Sequence, residues 1–170
     1  MKSQITLSLL AGALLLAGCG KNEASAPATS TASTSAATPA APAAAAPIEI
    51  TANDAMKFSI TRFEVNAGEE VKVIFTNLGT MPKQAMGHNF IILKKDADVK
   101  AFADAAVMAA ATDYVPAAKA DGVIAHTKLL GPKQSDEITF TAPSEPGEYP
   151  FICSFPAHFL SGMKGVMVVK

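Results

Sequence analysis

Between residues 48 and 170 short apolar runs alternate with turn-rich spacers. "IEITA" from Ile48, "FSITRFEV" from Phe58, "VKVIFTN" from Val71, "HNFIILK" from His88, "DEITFTA" from Asp136, "GEYPFIC" from Gly147 and "GVMVVK" from Gly165 are rich in β-branched and aromatic residues. Each alternates, or runs apolar, over a strand's length, so strands are predicted there. "NAGE", "NLGT", "LGPKQSDE", "PSEPGE" and "FPAHFLSGMKG" separate them with Gly, Pro, Asn, Asp and Ser, the residues that turns demand. One stretch has a different period. "DVKAFADAAVMAAA", 98–111, carries apolar residues at helical spacing among strong helix formers, which predicts an inserted helix packed on one side of the strands. The expected architecture is all-β, a Greek-key sandwich or barrel of seven or eight strands with one helical flap.

The pattern changes before residue 48. Residues 20–47, "GKNEASAPATSTASTSAATPAAPAAAAP", contain too little large apolar surface to offset the entropy of ordering, and read as a disordered tether. As a flexible coil this stretch would span roughly 30 Å, and as extended polyproline II about 85 Å. Ahead of it, Lys2 and the apolar run Ile5–Leu16 form a secretory leader too short to cross a membrane as a helix. "LAGC", Leu16–Cys19, resembles the lipobox of bacterial lipoproteins, which would make residues 1–18 the signal peptide and Cys19 the lipidated first residue of the mature chain. An ordinary signal peptide with an incidental cysteine is the blander reading. Gly20 after Cys19 points to the outer membrane by analogy with lipoprotein sorting. The remaining body, 48–170, is about 120 residues, one domain's length. A formal net charge of −1 with no block of like charge argues against nucleic acid as a partner.

The chain has two cysteines. If Cys19 is lipidated, Cys153 is alone in an exported protein, where a thiol is either buried and inert or has work such as metal binding. It opens "CSFPAHFLSGMKG", with His158 and Met163 in the same loop. Far upstream His88 stands at a strand entrance in "MGHNF". A strand-entry histidine is by itself most often a rim residue, and the Cys153 loop by itself could be core that contains sulfur. Together they are two imidazoles, a thiolate and a thioether. Soft sulfur favours Cu(I) and imidazole also suits Cu(II), so this set points to a blue-copper electron-transfer site. Zinc accepts Cys and His but seldom a thioether.

"MGHNF", "VIAHTKLLGPKQSDEITF" and "CSFPAHFLSGMKG" resemble azurin, the bacterial cupredoxin, and the similarity runs through most of 48–170, helical flap included. With the leader and tether, it is the lipid-modified azurins of Gram-negative bacteria that the chain resembles. The resemblance implies a cupredoxin fold and one type 1 copper per chain. His88, Cys153 and His158 would be equatorial ligands, Met163 axial, with the Gly87 carbonyl opposite it. Asn89 would tie the two ligand-bearing loops together. It further implies that Met86, Pro156, Ala157, Phe159 and Leu160 form an apolar docking face around the edge of His158. The expected function is then a one-electron shuttle, not an enzyme, held at the periplasmic or outer-membrane surface by its lipid. Its partners would be c-type cytochromes or copper or haem reductases met transiently by a monomer. Periplasmic copper buffering or delivery is the alternative.

Three departures stand out. Four residues, Phe159–Gly162, separate His158 from Met163 where azurin has three, a spacing closer to auracyanin; this bears on the axial distance and hence the potential. The body has no cysteines for azurin's N-terminal disulfide, and the chain has no tryptophan. Phe90 after "GHN" implies a differently packed core. His126 reads as a solvent-facing strand residue, and Met56, Met81, Met108 and Met167 as space-filling side chains.

Overall fold

The computed structural model describes residues 46–170. The leader, Cys19 and nearly all of the tether lie outside the described residues. Among the described residues eight strands form two sheets. In the three-stranded sheet β1 (Ile48–Ala52) and β6 (Ser135–Thr141) flank β3 (Glu70–Asn77), parallel and antiparallel to it respectively. The five-stranded sheet runs in the order β2 (Arg62–Val65), β8 (Lys164–Val169), β7 (Gly147–Ile152), β4 (Ile91–Leu93), β5 (Val123–His126). The mostly-β, two-sheet expectation holds.

Alternation decides which side chains face inward. Ile50, Val71, Val73 and Phe75 from one sheet meet Phe151, Met167 and Val169 from the other in the main core. Successive residues of a strand point to opposite faces, so β4 and β7 serve two clusters. Ile92 and Phe151 join the main core, whereas Ile91, Leu93 and Ile152 form a second cluster with Phe102. Phe102 and Ala106 are the buried face of helix α2 (Val99–Ala106), whose Asp98 side chain caps it by accepting from the Ala101 amide. The flap therefore closes the outer face of the five-stranded sheet. The chain has no tryptophan, and phenylalanines mesh in the core instead. Phe90 lies 4.9 Å from Phe151 and 5.7 Å from Phe58, ring centre to ring centre.

Several local expectations are corrected. The second strand begins at Arg62, since Phe58 turns out of line to bridge Ala52 and fill the core. His88, Asn89 and Phe90 precede β4 instead of belonging to it, with His88 held in an isolated bridge to Leu130. "VIAH", not among the strand segments, is the edge strand β5. The helix stops at Ala106, and residues 107–111 leave it. A 3-10 turn, Ala110–Thr112, ends in two left-handed residues, Asp113 and Tyr114, at φ 54° and 63°. Met108 is 89% exposed and fills no space.

The site sits at one end of the sandwich. Pairing of Ala52 with Asn77, Thr76 with Ser135, and Ile91 with both His126 and Ile152 puts the ends of β1, β3, β5 and β7 together with the starts of β4 and β6. The connecting segments 53–61, 78–90, 127–134 and 153–163 therefore gather at that end. Among the described residues no helix is long and apolar enough to cross a membrane.

Candidate metal centre

His88 arrives on the segment after the short helix α1 (Lys83–Met86) and is fully buried. Three backbone or side-chain bonds fix it. Its amide donates to the Leu130 carbonyl at 3.1 Å, its carbonyl accepts from the Leu130 amide at 2.7 Å, and its Nε2 lies 3.1 Å from the Asn53 carbonyl. With Nε2 engaged as donor to a carbonyl, Nδ1 is left with its lone pair, the arrangement usual for a metal-binding imidazole. Gly87 immediately before it is a tight place. A Cβ there would sit 2.7 Å from the Lys83 carbonyl oxygen and 3.0 Å from Leu129 Cγ, so only glycine fits.

Cys153 lies just beyond the end of β7, wholly buried, and its amide donates to the Met163 carbonyl at 3.1 Å. The loop that follows closes as a helix C-terminus does. Met163 N–H donates to the His158 carbonyl (2.9 Å) and Gly162 N–H to the Phe159 carbonyl (3.0 Å), with Gly162 left-handed at φ 89°. This is the six-to-one, five-to-two pattern that glycine permits at low cost. The four-residue spacer is thus a complete turn, and it returns the fully buried Met163 to the site end.

The donor atoms converge. Cys153 Sγ is 3.9 Å from His88 Nδ1 and 3.4 Å from His158 Nδ1, and the three ligand atoms lie within 4.8 Å of one another. Ligands about one ion at bonds of roughly 2.0–2.3 Å and tetrahedral to trigonal angles are separated by about 3.3–4.0 Å, so both sulfur–nitrogen distances suit a single metal. Two imidazoles and a thiol, with a buried thioether on the same loop, are a donor set chemically matched to copper.

Burial sets the charge state. It pushes the Cys153 thiol up to about 12, against a smaller opposing effect from the Asn89 and Phe155 amides. Burial, with the neighbouring His88, lowers His158 to about 4. Burial also lowers His88, outweighing the Asn53 carbonyl and Asp54. At neutral pH the metal-free site is therefore uncharged, with both imidazoles already in the form a metal needs and the thiol still holding its proton. Metal uptake must release that proton. Chelator competition across a pH series is expected to show copper affinity rising about tenfold per pH unit between pH 5 and 9, with a steeper slope near pH 4 where His158 adds a second proton. A pH-independent affinity would contradict a protonated Cys153.

Asn89, also fully buried, joins the two ligand-bearing segments. Its Oδ1 accepts from the Ser154 amide at 2.8 Å, and its Nδ2 donates to Ser154 Oγ and to the Asp113 carbonyl, both at 2.8 Å. Ser154 Oγ donates onward to the Tyr114 carbonyl at 2.7 Å. The left-handed pair after α2 thereby braces the centre. Sequence reading missed Asn53, Asp113 and Tyr114 because each acts through a backbone carbonyl, which leaves no trace in residue type. Ser154 was legible only as a neighbour of Cys153.

The remaining side chains divide. Leu160 is 74% exposed and Ala157 is exposed at a left-handed φ of 69°, while Met86 and Pro156 are half-buried. Phe159 turns partly inward against the Ile91–Phe102–Ile152 cluster. His126 is exposed at the end of β5, outside the ligand cluster.

The family model for copper binding proteins of the plastocyanin/azurin family matches residues 44–170. Azurin of Alcaligenes faecalis is 35% identical over 126 residues, covering 72% of this chain and 97% of that protein. Outer membrane protein H.8 of Neisseria meningitidis is 40% identical over 116 residues, 67% of this chain and 61% of the relative. Among solved structures, dithionite-reduced auracyanin of Roseiflexus castenholzii superposes with a TM-score of 0.66 at 40% identity, covering 75% of this chain and 99% of that one.

Proposed function

We propose, from the premise that the chain belongs to the plastocyanin/azurin family of copper-binding proteins, that it shuttles single electrons between redox proteins at the bacterial periplasmic face. The observation that carries this reading is the convergence of His88 Nδ1, Cys153 Sγ and His158 Nδ1 in a fully buried pocket. Copper held there supplies a one-electron Cu(II)/Cu(I) couple. His88, Cys153 and His158 would hold it, with the Met163 thioether and the Gly87 carbonyl as further donors.

The chain's own residues support that chemistry in two ways. Burial excludes water, so the thiolate and imidazoles face no competing ligand. Hydrogen bonds of His88 with the Asn53 and Leu130 backbone, and of Asn89 with Ser154, hold the donors in place. A site that cannot rearrange between oxidation states exchanges electrons with little reorganisation.

Docking would use the surface around His158, with Leu160, Ala157, Pro156, Met86 and the exposed edge of Phe159 as its apolar contacts. Partners would be c-type cytochromes or copper or haem reductases, met briefly by a monomer through a small interface. Residues 1–18 would direct export, Cys19 would carry lipid, and the stretch to residue 47 would tether the domain to the membrane, with Gly20 favouring the outer one. The matching outer membrane protein H.8 is in keeping with that location.

Loading the protein with Cu(II) tests the reading. An intense visible thiolate-to-copper absorption, narrow copper hyperfine splitting in EPR and a reversible redox couple are expected. A colourless protein that takes up only Zn(II) would end it, and rapid copper exchange without a reversible couple would favour copper delivery instead.

A further inference from the structure

The segments gathered at the metal end carry an unequal set of charges. Residues 53–61, 78–90, 127–134 and 153–164 contain Lys57, Lys83, Lys128, Lys133 and Lys164 but a single carboxylate, Asp54. Asp54 is engaged by the Thr80 amide and hydroxyl, each at 2.9 Å. Lys83 pairs with Asp113 at 3.8 Å and Lys128 with Asp136 at 4.0 Å. Among the described residues this leaves Lys57, Lys133 and Lys164 without a carboxylate partner.

Those three border the apolar surface of the same end. Lys133 Nζ donates to the Leu78 carbonyl and Lys57 Nζ to the Ser161 carbonyl, each at 2.6 Å. Lys164 Nζ stands 5.1 Å above the Phe159 ring. Leu78 and Leu160 are 47% and 74% exposed. The ammonium groups are thus held at the margin of exposed apolar side chains by contacts that do not neutralise them. At the other end Glu69 and Glu145 lie in the segments leading into β3 and β7, and Lys95 is already paired with Glu145.

We infer that Lys57, Lys133 and Lys164 form a cationic rim that selects a redox partner whose docking face carries carboxylates around its own electron-exchange site. This rests on the electron-shuttle reading. A chain with a formal net charge of −1 would as a whole weakly repel such a partner. The local field at close approach has the opposite sign, and it governs encounter once the partner lies within a Debye length, about 8–10 Å. Complementary rims set orientation and encounter rate more than they set affinity, which suits a partner that must leave quickly.

The test is stopped-flow oxidation of the full chain, loaded with copper and reduced to Cu(I), by three one-electron oxidants: a ferric c-type cytochrome of strongly negative net charge, a ferric one of strongly positive net charge, and hexacyanoferrate(III). The acidic cytochrome and the small anion are expected to react faster, with rates falling about tenfold as ionic strength rises from about 0.01 M to about 0.15 M. Lys133→Glu and Lys164→Glu should each slow the acidic cytochrome at least about threefold at low salt, with the visible band and the potential unchanged. Lys94→Glu, away from the metal end, alters total charge equally and should leave the rate as it was. Equal, salt-independent rates with both cytochromes, or a Lys94→Glu effect as large as the other two, would overturn the rim. Exchange with none of the three probes would instead overturn the shuttle reading on which the rim depends.

Discussion

Replacing Cys153 by serine is expected to abolish the visible copper absorption while leaving the metal-free protein folded. The thiol is fully buried where the two ligand segments meet, and Asn89 and Phe155 amides point toward its sulfur. A serine hydroxyl is close in size and can accept from the same amides, so packing changes little. What disappears is the sulfur whose electrons make the intense charge-transfer band and whose softness favours Cu(I). Loss of outer partners alone typically lowers metal affinity roughly 10–100-fold, so loss of a ligand should exceed about 100-fold. At fixed copper in excess, a hundredfold loss removes about 2.7 kcal/mol of metal-linked stability. Absorption, EPR and copper-dependent melting of Cys153→Ser measure all three effects. A variant that keeps its blue band would remove Cys153 from the ligand set.

Asn89→Leu should be the most destabilising single change near the centre. Leucine shares the branched shape of asparagine, though it is bulkier, and makes none of its bonds, so it strands the buried Ser154 amide and the Asp113 carbonyl. Each buried polar group left unsatisfied costs about 1–3 kcal/mol, and the total is expected near 3–5 kcal/mol. Urea denaturation of the metal-free variant reads this directly. The same change frees the Cys153 segment from the His88 segment, so the copper-loaded variant should also show a shifted band and faster metal release. A stability loss below about 1 kcal/mol would mean that the clasp contributes little. Asn89→Asp is the contrast, since it keeps the acceptor for Ser154 and loses the donor to Asp113 and to Ser154 Oγ.

The centre was legible unevenly, and the reason is physical. Donor chemistry belongs to side chains. A lone thiol in an exported chain, with His158 and Met163 in its loop and His88 upstream, could be read from residue type alone. The four-residue spacer before Met163 could be counted, but that it closes as a turn through left-handed Gly162 could not. The carbonyls of Asn53, Asp113 and Tyr114 are common to every residue and carry no signal until the chain is folded. Phe159 was read as surface because it sits among loop residues, whereas α2 offers it an apolar neighbour that no local pattern reveals. Edge strand β5 entered the reading only through His126, because "VIAH" is short and only half-buried, so its alternation is faint.

The sequence by itself determined the kinds of atom available for metal, the alternation that puts Ile50, Val73 and Phe75 inside, and the break in period that marks α2. These follow from side-chain chemistry and from periods of two and 3.6 residues, which are local properties. Only the tertiary structure decided that His88 and Cys153, 65 positions apart, lie 3.9 Å from each other. It likewise decided that three of five lysines at that end lack carboxylate partners. Such facts depend on which strand ends share one end of the sandwich, and long-range pairing between sheets sets that.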